Sequence, residues 1–223
     1  MRDGCASGVP FAAERAAGTS VYCGMTRMSW TGAAPWLYDT LMRPLERGAL
    51  ARWRRALWAD VPAVGLGLEV GFGTNANAAY RPATAQLVGI DLSEAMLARA
   101  GATRDGATAL PAAVADVPAL PFADGAFDWV VASLVFCEVA DPLAGLHELR
   151  RVLRPGGSLH LLEHVEPSGR VASALARAVT RVSGPLFGEH YDRRTHETVD
   201  AAGFTRERTV RGLRDALVML VAR

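Results

Sequence analysis

Lysine is absent from this chain, whose 24 basic residues are all arginine. That removes every mechanism needing a side-chain primary amine: Walker-A phosphate binding, Schiff bases and the Tyr/Lys pair of short-chain dehydrogenases. Cysteine is scarce. Cys5, Cys23 and Cys137 are odd in number and lack CxxC spacing, so neither a disulfide framework nor a zinc site is expected, and a reducing cytoplasm is the default location. An excess of one charge is also missing: 24 basic against 23 acidic residues leave a formal net charge of +1, with no nucleic-acid footprint. No apolar run reaches the ~18 residues of a membrane span. The N-terminus has no signal-peptide core, being interrupted by Glu14, Arg15 and several glycines. No His, Cys and carboxylate cluster has metal-ligand spacing, so a metal-independent protein is expected.

What is present centres on residues 64–77. An apolar run closes on Glu69, then on Gly71 and Gly73, then on small polar residues suited to opening a helix. That order predicts strand, tight turn and helix N-terminus, where glycines admit a ligand and free N–H groups face it. Twenty residues beyond Gly71, a second apolar run ends on Asp91, where a carboxylate can accept two ribose hydroxyls. Both features point to a nucleotide-like cofactor.

With 223 residues the chain fits one domain with a sizeable core. Residues 1–28 are rich in Gly, Ala and Ser without periodicity and read as a flexible tail, with Met25 or Met28 as alternative starts. Residues 29–60 read as an N-terminal helical lid broken at Pro44, with Leu41, Leu45, Leu50, Trp53 and Leu57 on one buried stripe. Arg43, Arg47, Arg52, Arg54 and Arg55 then form a solvated basic face. Four of the five tryptophans lie nearby, which also suits a membrane surface or a lid over an apolar substrate.

Beyond the glycine turn, strands are predicted at residues 87–90, 112–115, 127–133 and 158–165. They alternate with a helix capped by Ser93 and a helix opened by Pro142. In the second helix Leu143, Leu146, Leu149 and Leu153 face inward, Arg150, Arg151 and Arg154 suit its C-terminal dipole, and Pro155, Gly156 and Gly157 stop it. Residues 170–182 and 195–202 are helical by pattern. Residues 205–210 and 216–222 form strands whose short connection makes them antiparallel. The whole reads as an α/β chain whose parallel sheet ends in an antiparallel hairpin.

Glu69-x-Gly71-x-Gly73-Thr74, Gly89-Ile90-Asp91-Leu92-Ser93 with Met96 and Leu97, Ala115-Asp116, Phe127-Asp128, and Arg151 through Gly157 together resemble the successive motifs of class I S-adenosylmethionine-dependent methyltransferases. The similarity is greatest to the branch containing quinone-biosynthesis and phospholipid N-methyltransferases. The stretch from Ser133 to Val139, with residues 162–165 and 188–190, is also similar to small thiol-methylating enzymes. The resemblance spans residues 36–223 and implies a Rossmann-like methyltransferase fold: doubly wound, mostly parallel and seven-stranded, with an antiparallel C-terminal strand. It implies S-adenosyl-L-methionine as cofactor and S-adenosyl-L-homocysteine as product. Glu69, Gly71 and Gly73 would hold the methionine moiety, Asp91 the ribose, Leu92 and Met96 the adenine face, and Asp116 with Val117 its edge. Ser133 and Leu134 would lie beneath the sulfonium. The family commonly has a third glycine where this chain has Asn75; the loop is then tighter there, or Asn75 donates to the cofactor carboxylate.

Two rival readings stand beside this one. A relaxed dinucleotide fingerprint, Gly71-x-Gly73-x-x-Ala76, suits an NAD(P)-dependent oxidoreductase. The departure at Asn75 suits a cofactor-binding scaffold without catalysis. The missing lysine, the Arg-Pro-Gly-Gly connection and the closing hairpin favour the methyltransferase. Its expected chemistry is in-line displacement, with catalysis arising from alignment and water exclusion and a base needed only for a protonated nucleophile. Glu163 and His164 end a strand and are the first candidates, on opposite sides by alternation; His164 is the preferred base or positioning group. His190 and Tyr191 are candidates to complete the pocket, as are Tyr38 and Cys137, while His147 and His160 are read as structural. Residues 166–195 would cap the substrate side. A small apolar or lipid-like acceptor (thiol, amine, quinol, phenol or lipid headgroup) is expected. No nucleic-acid partner is expected, and peripheral membrane contact is compatible with the composition.

Overall fold

The computed structural model describes residues 35–102, 110–187 and 190–223; the expected tail, Cys5 and Cys23 lie outside them. The described residues open with two helices, α1 (Pro35–Arg47) and α2 (Ala49–Asp60). Pro44 lies inside α1 rather than breaking it. The break is at Gly48, whose N–H closes the helix onto the carbonyls of Pro44 and Leu45 at 3.1 and 3.2 Å. This interruption splits the expected single stripe. Leu50, Trp53 and Leu57 are buried, whereas Leu41 and Leu45 are exposed.

The chain then forms β1 (Leu66–Val70), β2 (Gln86–Asp91), α3 (Glu94–Ala102), β3 (Ala112–Val114), a 3-10 turn at Val117–Ala119 and β4 (Phe127–Ser133). It continues through α4 (Pro142–Val152), β5 (Leu153–His164), α5 (Arg170–Phe187), α6 (Thr195–Ala201), β6 (Arg206–Gly212) and β7 (Leu217–Ala222). The seven strands form one sheet in the order β3-β2-β1-β4-β5-β7-β6. Pairings from β3 to β5 are parallel, and β7 runs antiparallel to both β5 and β6. The expected doubly wound sheet with its antiparallel closing strand is therefore the fold of this chain.

Alternation along the strands divides the core between two faces. Val130, Ala132, Leu159 and Leu161 pack with Leu146 and Leu149 of α4. Trp129, Val131 and Leu162 pack instead with Leu50, Trp53, Leu57 and Trp58 of α2. Gly67 makes this second layer fit: a Cβ there would stand 2.1 Å from ring atoms of Trp129, so only glycine lets the indole cross β1. Trp58 meets Trp129 edge-on at 6.1 Å, a geometry favoured by the ring quadrupoles.

Several expected boundaries move. No helix follows the glycine turn; residues 73–80 form successive turns, with Asn75 N–H bonded to Phe72 O, Ala78 to Asn75 O and Tyr80 to Asn77 O. Helix α4 stops at Val152, and Leu153 begins β5. Pro155, Gly156 and Gly157 lie where the β4–β5 register shifts between Phe127 and Trp129; Gly156, at φ +79°, supplies the left-handed residue. Leu143 is 38% exposed, not inward. Arg151 does more than meet a helix dipole: its Nη1 and Nη2 donate to the carbonyls of Phe122 and Leu120. Ser93 caps α3 as expected, accepting the Met96 N–H at 3.2 Å.

Candidate functional site

In this strand order the chain reverses direction across the sheet between β1 and β4, which opens a crevice at their carboxyl ends. The expected cofactor residues fall at or just after the carboxyl ends of β1, β2, β3 and β4, except Met96, which lies in α3. Gly71 leaves β1 at φ +67°, and a Cβ on it would stand 2.1 Å from Val135. Gly73 has φ +54°, and in front of it the nearest atom is Gly71 O at 3.9 Å, so its backbone is open to close approach. Asn75 completes the series at φ +74°, a region asparagine enters more readily than most residues. The chain thus takes at Asn75 the conformation a third glycine would take. The Asn75 Oδ1 accepts from Arg81 Nη1.

At the end of β2, Asp91 locks this turn. Its Oδ2 accepts the Gly73 N–H at 2.8 Å and its Oδ1 the Ser93 N–H at 2.8 Å. Burial pushes its pKa up while these N–H groups pull it down. Three backbone N–H groups, those of Gly73, Ser93 and Leu92, draw on a carboxylate that offers about four lone-pair sites. Beside it Leu92 is 69% exposed and Met96 is buried beneath. After β3, Asp116 is exposed and Val117 buried. Thr74 Oγ1 donates to Asp39 Oδ1 at 2.6 Å, and Arg99 Nε donates to Asp39 Oδ2 at 3.0 Å; α1 is thereby tied to the glycine turn and to α3. An open backbone at Gly73, a paired carboxylate at Asp91 and an exposed leucine next to it fit the phosphate-free nucleoside end of S-adenosylmethionine.

Beneath the turn lies a buried polar network. Glu69, 1% exposed, receives Asn77 Nδ2 on one oxygen at 2.8 Å and Arg81 Nε on the other at 2.6 Å. Both oxygens are thus bonded within the protein. Burial raises the Glu69 pKa, and Arg81 opposes the rise. Arg81 lies 4.8 Å from the Phe72 ring centroid and 5.6 Å from that of Trp58. Ser133 Oγ accepts from Arg54 Nη1 at 2.8 Å and from Asn77 Nδ2 at 3.0 Å. Arg54 also donates to Asn77 Oδ1 and pairs through Nε and Nη2 with Glu46. Arg54 is 4% exposed, so it does not belong to the basic face with its neighbours. The spacing that sets Arg54 on one helical face with Leu50, Leu57 and Trp58 was the available sequence signal. For Arg81, twelve residues from Glu69, there was none.

The expected catalytic residues occupy the end of β5 and the segment after α5. Glu163 is fully buried. Its Oε1 accepts the Val135 and Phe136 N–H groups at 2.9 and 3.1 Å, and its Oε2 has no hydrogen-bond partner among the described residues. Burial, opposed by those N–H groups, pushes its pKa up to about 7. Glu163 therefore holds the loop leaving β4, where Leu134 sits at φ +59°. Arg193, which sequence reasoning missed, grips the same loop through the carbonyls of Phe136 and Val139. His164, half-buried, meets the Tyr191 ring at 5.6 Å. His190 N–H donates to Cys137 O at 3.0 Å, and Tyr191 N–H to Thr180 Oγ1 at 3.0 Å. Burial and the nearby Glu46 carboxylate raise the Tyr38 phenol well above its ordinary range, so it stays protonated. His147 is exposed, and His160 is buried against Ser158 with its pKa pushed down to about 4 by burial.

A separate groove of about 350 Å³ is lined by Glu166, Arg170, Arg194, His196 and Arg211 and holds none of the expected site residues. Among the described residues no group of three His, Cys, Asp or Glu could hold a metal ion, and no helix is long and apolar enough to cross a membrane.

Residues 68–161 match the family model described as a methyltransferase domain. The demethylmenaquinone methyltransferase of Mycobacterium sp. (strain KMS) is 37% identical over 144 residues, covering 62% of this chain and 59% of the relative. The ubiquinone/menaquinone biosynthesis C-methyltransferase of Geobacter sulfurreducens is 35% identical over 171 residues, covering 68% and 64%. The chain thus spans about three fifths of the length of these curated relatives. A solved S-adenosylmethionine-dependent methyltransferase of Thermotoga maritima shares the fold with TM-score 0.66 at 19% identity, over 87% of this chain and 98% of that one. These matches leave the dinucleotide alternative without support. The glycine turn, the Asp91 carboxylate and the family model agree: residues 68–161 form a methyltransferase domain, and the chain is similar to class I S-adenosylmethionine-dependent methyltransferases.

Proposed function

We propose that this protein transfers the methyl group of S-adenosylmethionine to a small apolar acceptor, with a quinol or phenol-type ring as the first class to test. The observation that carries the reading is Asp91, whose carboxylate is oriented by Gly73 and Ser93 at the crevice mouth beside an exposed Leu92. The names of the curated relatives, demethylmenaquinone and ubiquinone/menaquinone methyltransferases, favour the quinol class. The left-handed φ of +74° at Asn75 supports an intact cofactor turn over a silent scaffold.

The bound cofactor supplies a methyl already activated on a sulfonium. The residues must align the acceptor and exclude water. Asp91 would accept the ribose hydroxyls, while Gly71, Gly73 and Asn75 would shape the backbone around the amino-acid end. Leu92 and Met96 would cover the adenine face, and Asp116 with Val117 would meet its edge. Glu69 anchors the turn through Asn77 and Arg81. Ser133 and Leu134 would form the floor of the site beneath the bound cofactor. His164, held against Tyr191, takes the proton of an acceptor that arrives protonated. Tyr38, Cys137 and His190 line the acceptor side, and Glu163 fixes the loop that carries Cys137.

Calorimetric titration with S-adenosylmethionine tests the cofactor site. Measurable heat from the parent, weakened about tenfold or more in Asp91→Ala through loss of charge-assisted hydrogen bonds, supports it; no heat from the parent sinks the proposal. Turnover on a panel of quinols, phenols, thiols and amines then assigns the acceptor. A His164→Ala variant with unchanged turnover removes the base assignment.

A further inference from the structure

Helix α5 is mounted with its apolar side outward. Val171, Leu175, Val179 and Val182 recur at i, i+4, i+8 and i+11, which places them along one face. They are 85%, 65%, 43% and 65% exposed. The opposite face carries Ser173, Ala176 and Thr180, and this small, polar side is the one turned to the protein: Ser173 and Ala176 are half-buried and Thr180 is 8% exposed. Ser173 donates to Glu166, and Thr180 accepts the Tyr191 N–H. A helix packed for the core would be turned the other way. Arg170, Arg177 and Arg181 form a third row at i, i+7 and i+11, and the 18 residues contain no Asp or Glu.

We propose that α5 is a membrane-surface helix whose valine and leucine face enters the interface of an anionic bilayer while Arg170 and Arg181 pair with lipid phosphates. Amphipathic helices of this kind lie in the interface plane, combining apolar burial with attraction to anionic headgroups. Charge decides between this occupant and a second copy of the chain. A second copy of α5 offers the arginine row no carboxylate in return, whereas an anionic surface complements the row. The arginine stems are long enough to lie along the apolar face with their heads at the phosphates. Because Thr180 is bonded to the Tyr191 backbone, a seated α5 also holds the wall containing His164 and Tyr191 close to the lipid. The surface assignment itself stands without the methyl-transfer reading.

Flotation of the full chain with vesicles tests the inference. The probes are phosphatidylcholine vesicles and an equal mixture with phosphatidylglycerol. The protein is expected to float with the mixed vesicles and not with phosphatidylcholine alone, and to release as salt rises. Leu175→Ser with Val182→Ser, and separately Arg170→Gln with Arg181→Gln, are each expected to lower the bound fraction about tenfold. These positions are exposed, so the thermal midpoint should stay near the parent's; Arg177 is left intact because it pairs with Glu166. If the apolar pair unfolds the chain, the arginine pair and the salt series still decide. No flotation with anionic vesicles overturns the inference, as does binding that neither pair weakens. A dimer in sedimentation that Leu175→Ser dissociates, without vesicle binding, assigns the face to a second copy and also overturns it.

Discussion

The guanidinium of Arg54, in the second helix, donates to the hydroxyl of Ser133 at the carboxyl end of β4, 2.8 Å away across 79 residues of chain. The same group reaches Asn77 at 2.8 Å and is neutralised by Glu46. One buried cation thus joins the N-terminal helices to the turn after β1 and to the floor of the crevice.

Removing that cation is expected to loosen all three. Arg54→Met leaves Glu46 without its partner and Asn77 without a donor, and breaking a buried pair costs about 3 kcal/mol or more. For a chain of this size that lowers the thermal midpoint by roughly 6–12 °C. Arg54→Met with Glu46→Met should recover part of the loss. Calorimetric melts of the single and double variants measure it; a single variant as stable as the parent would show that the network contributes nothing net.

Glu163 makes stability depend on pH. Its folded pKa of about 7 lies above the ordinary 4.5, so the native state binds this proton more tightly than the unfolded chain. The contribution is fully present below pH 4.5 and is lost as pH rises through 7. Glu163→Gln should flatten that part of the profile, so that variant and parent diverge by on the order of 3 kcal/mol between the two ends of the window. Denaturant unfolding at pH 5 and pH 8 is the comparison; His160, whose pKa moves down, acts equally in both proteins and cancels. Parallel profiles would contradict the assignment.

Asn75 tests the glycine turn. At φ +74°, Asn75→Gly should keep the fold with stability within about 1 kcal/mol of the parent, since glycine enters this region without penalty. Asn75→Val should lose roughly 2 kcal/mol, because a β-branched residue is an outlier there. Equal melts for the two variants would mean that the turn is not held in this conformation.

Two glycines make opposite predictions under one substitution. Gly67→Ala drives a Cβ into the Trp129 ring and should cost about 3 kcal/mol or more through overpacking. Gly101 lies in α3 with nothing within 4 Å of a Cβ, so Gly101→Ala should stabilise by about 0.5–1 kcal/mol. Unfolding free energies measured side by side check both signs.

The parts of the site that were legible in the sequence depend on neighbours a few residues apart. Ser93 caps α3 because its hydroxyl reaches the N–H of Met96, and a motif shows this as plainly as coordinates do. Gly71 and Gly73 mark a turn because no other residue takes their backbone angles so readily. The helix expected after that turn failed for a local reason the pattern missed: Asn75 and Asn77 carbonyls accept from Ala78, Tyr80 and Arg81 and close successive turns. Arg193 was not legible at all, since its partners, Phe136 and Val139, precede it by 57 and 54 residues.

By itself, the sequence determined the order of the strands along the chain, the antiparallel closing hairpin and the positions of Asp91 and the glycine turn, and the resemblance of its motifs to the methyltransferase family supplied the cofactor class. Each of these follows from hydrophobic period, turn chemistry or short motifs, which act over a few residues. Only the tertiary structure decided that Arg54 is buried while its neighbours are solvated, that Glu163 braces a loop while His164 meets Tyr191, and that α5 turns its valines away from the core. Those outcomes depend on which faces the sheet brings together, and a chain's local pattern carries no record of contacts made across dozens of residues.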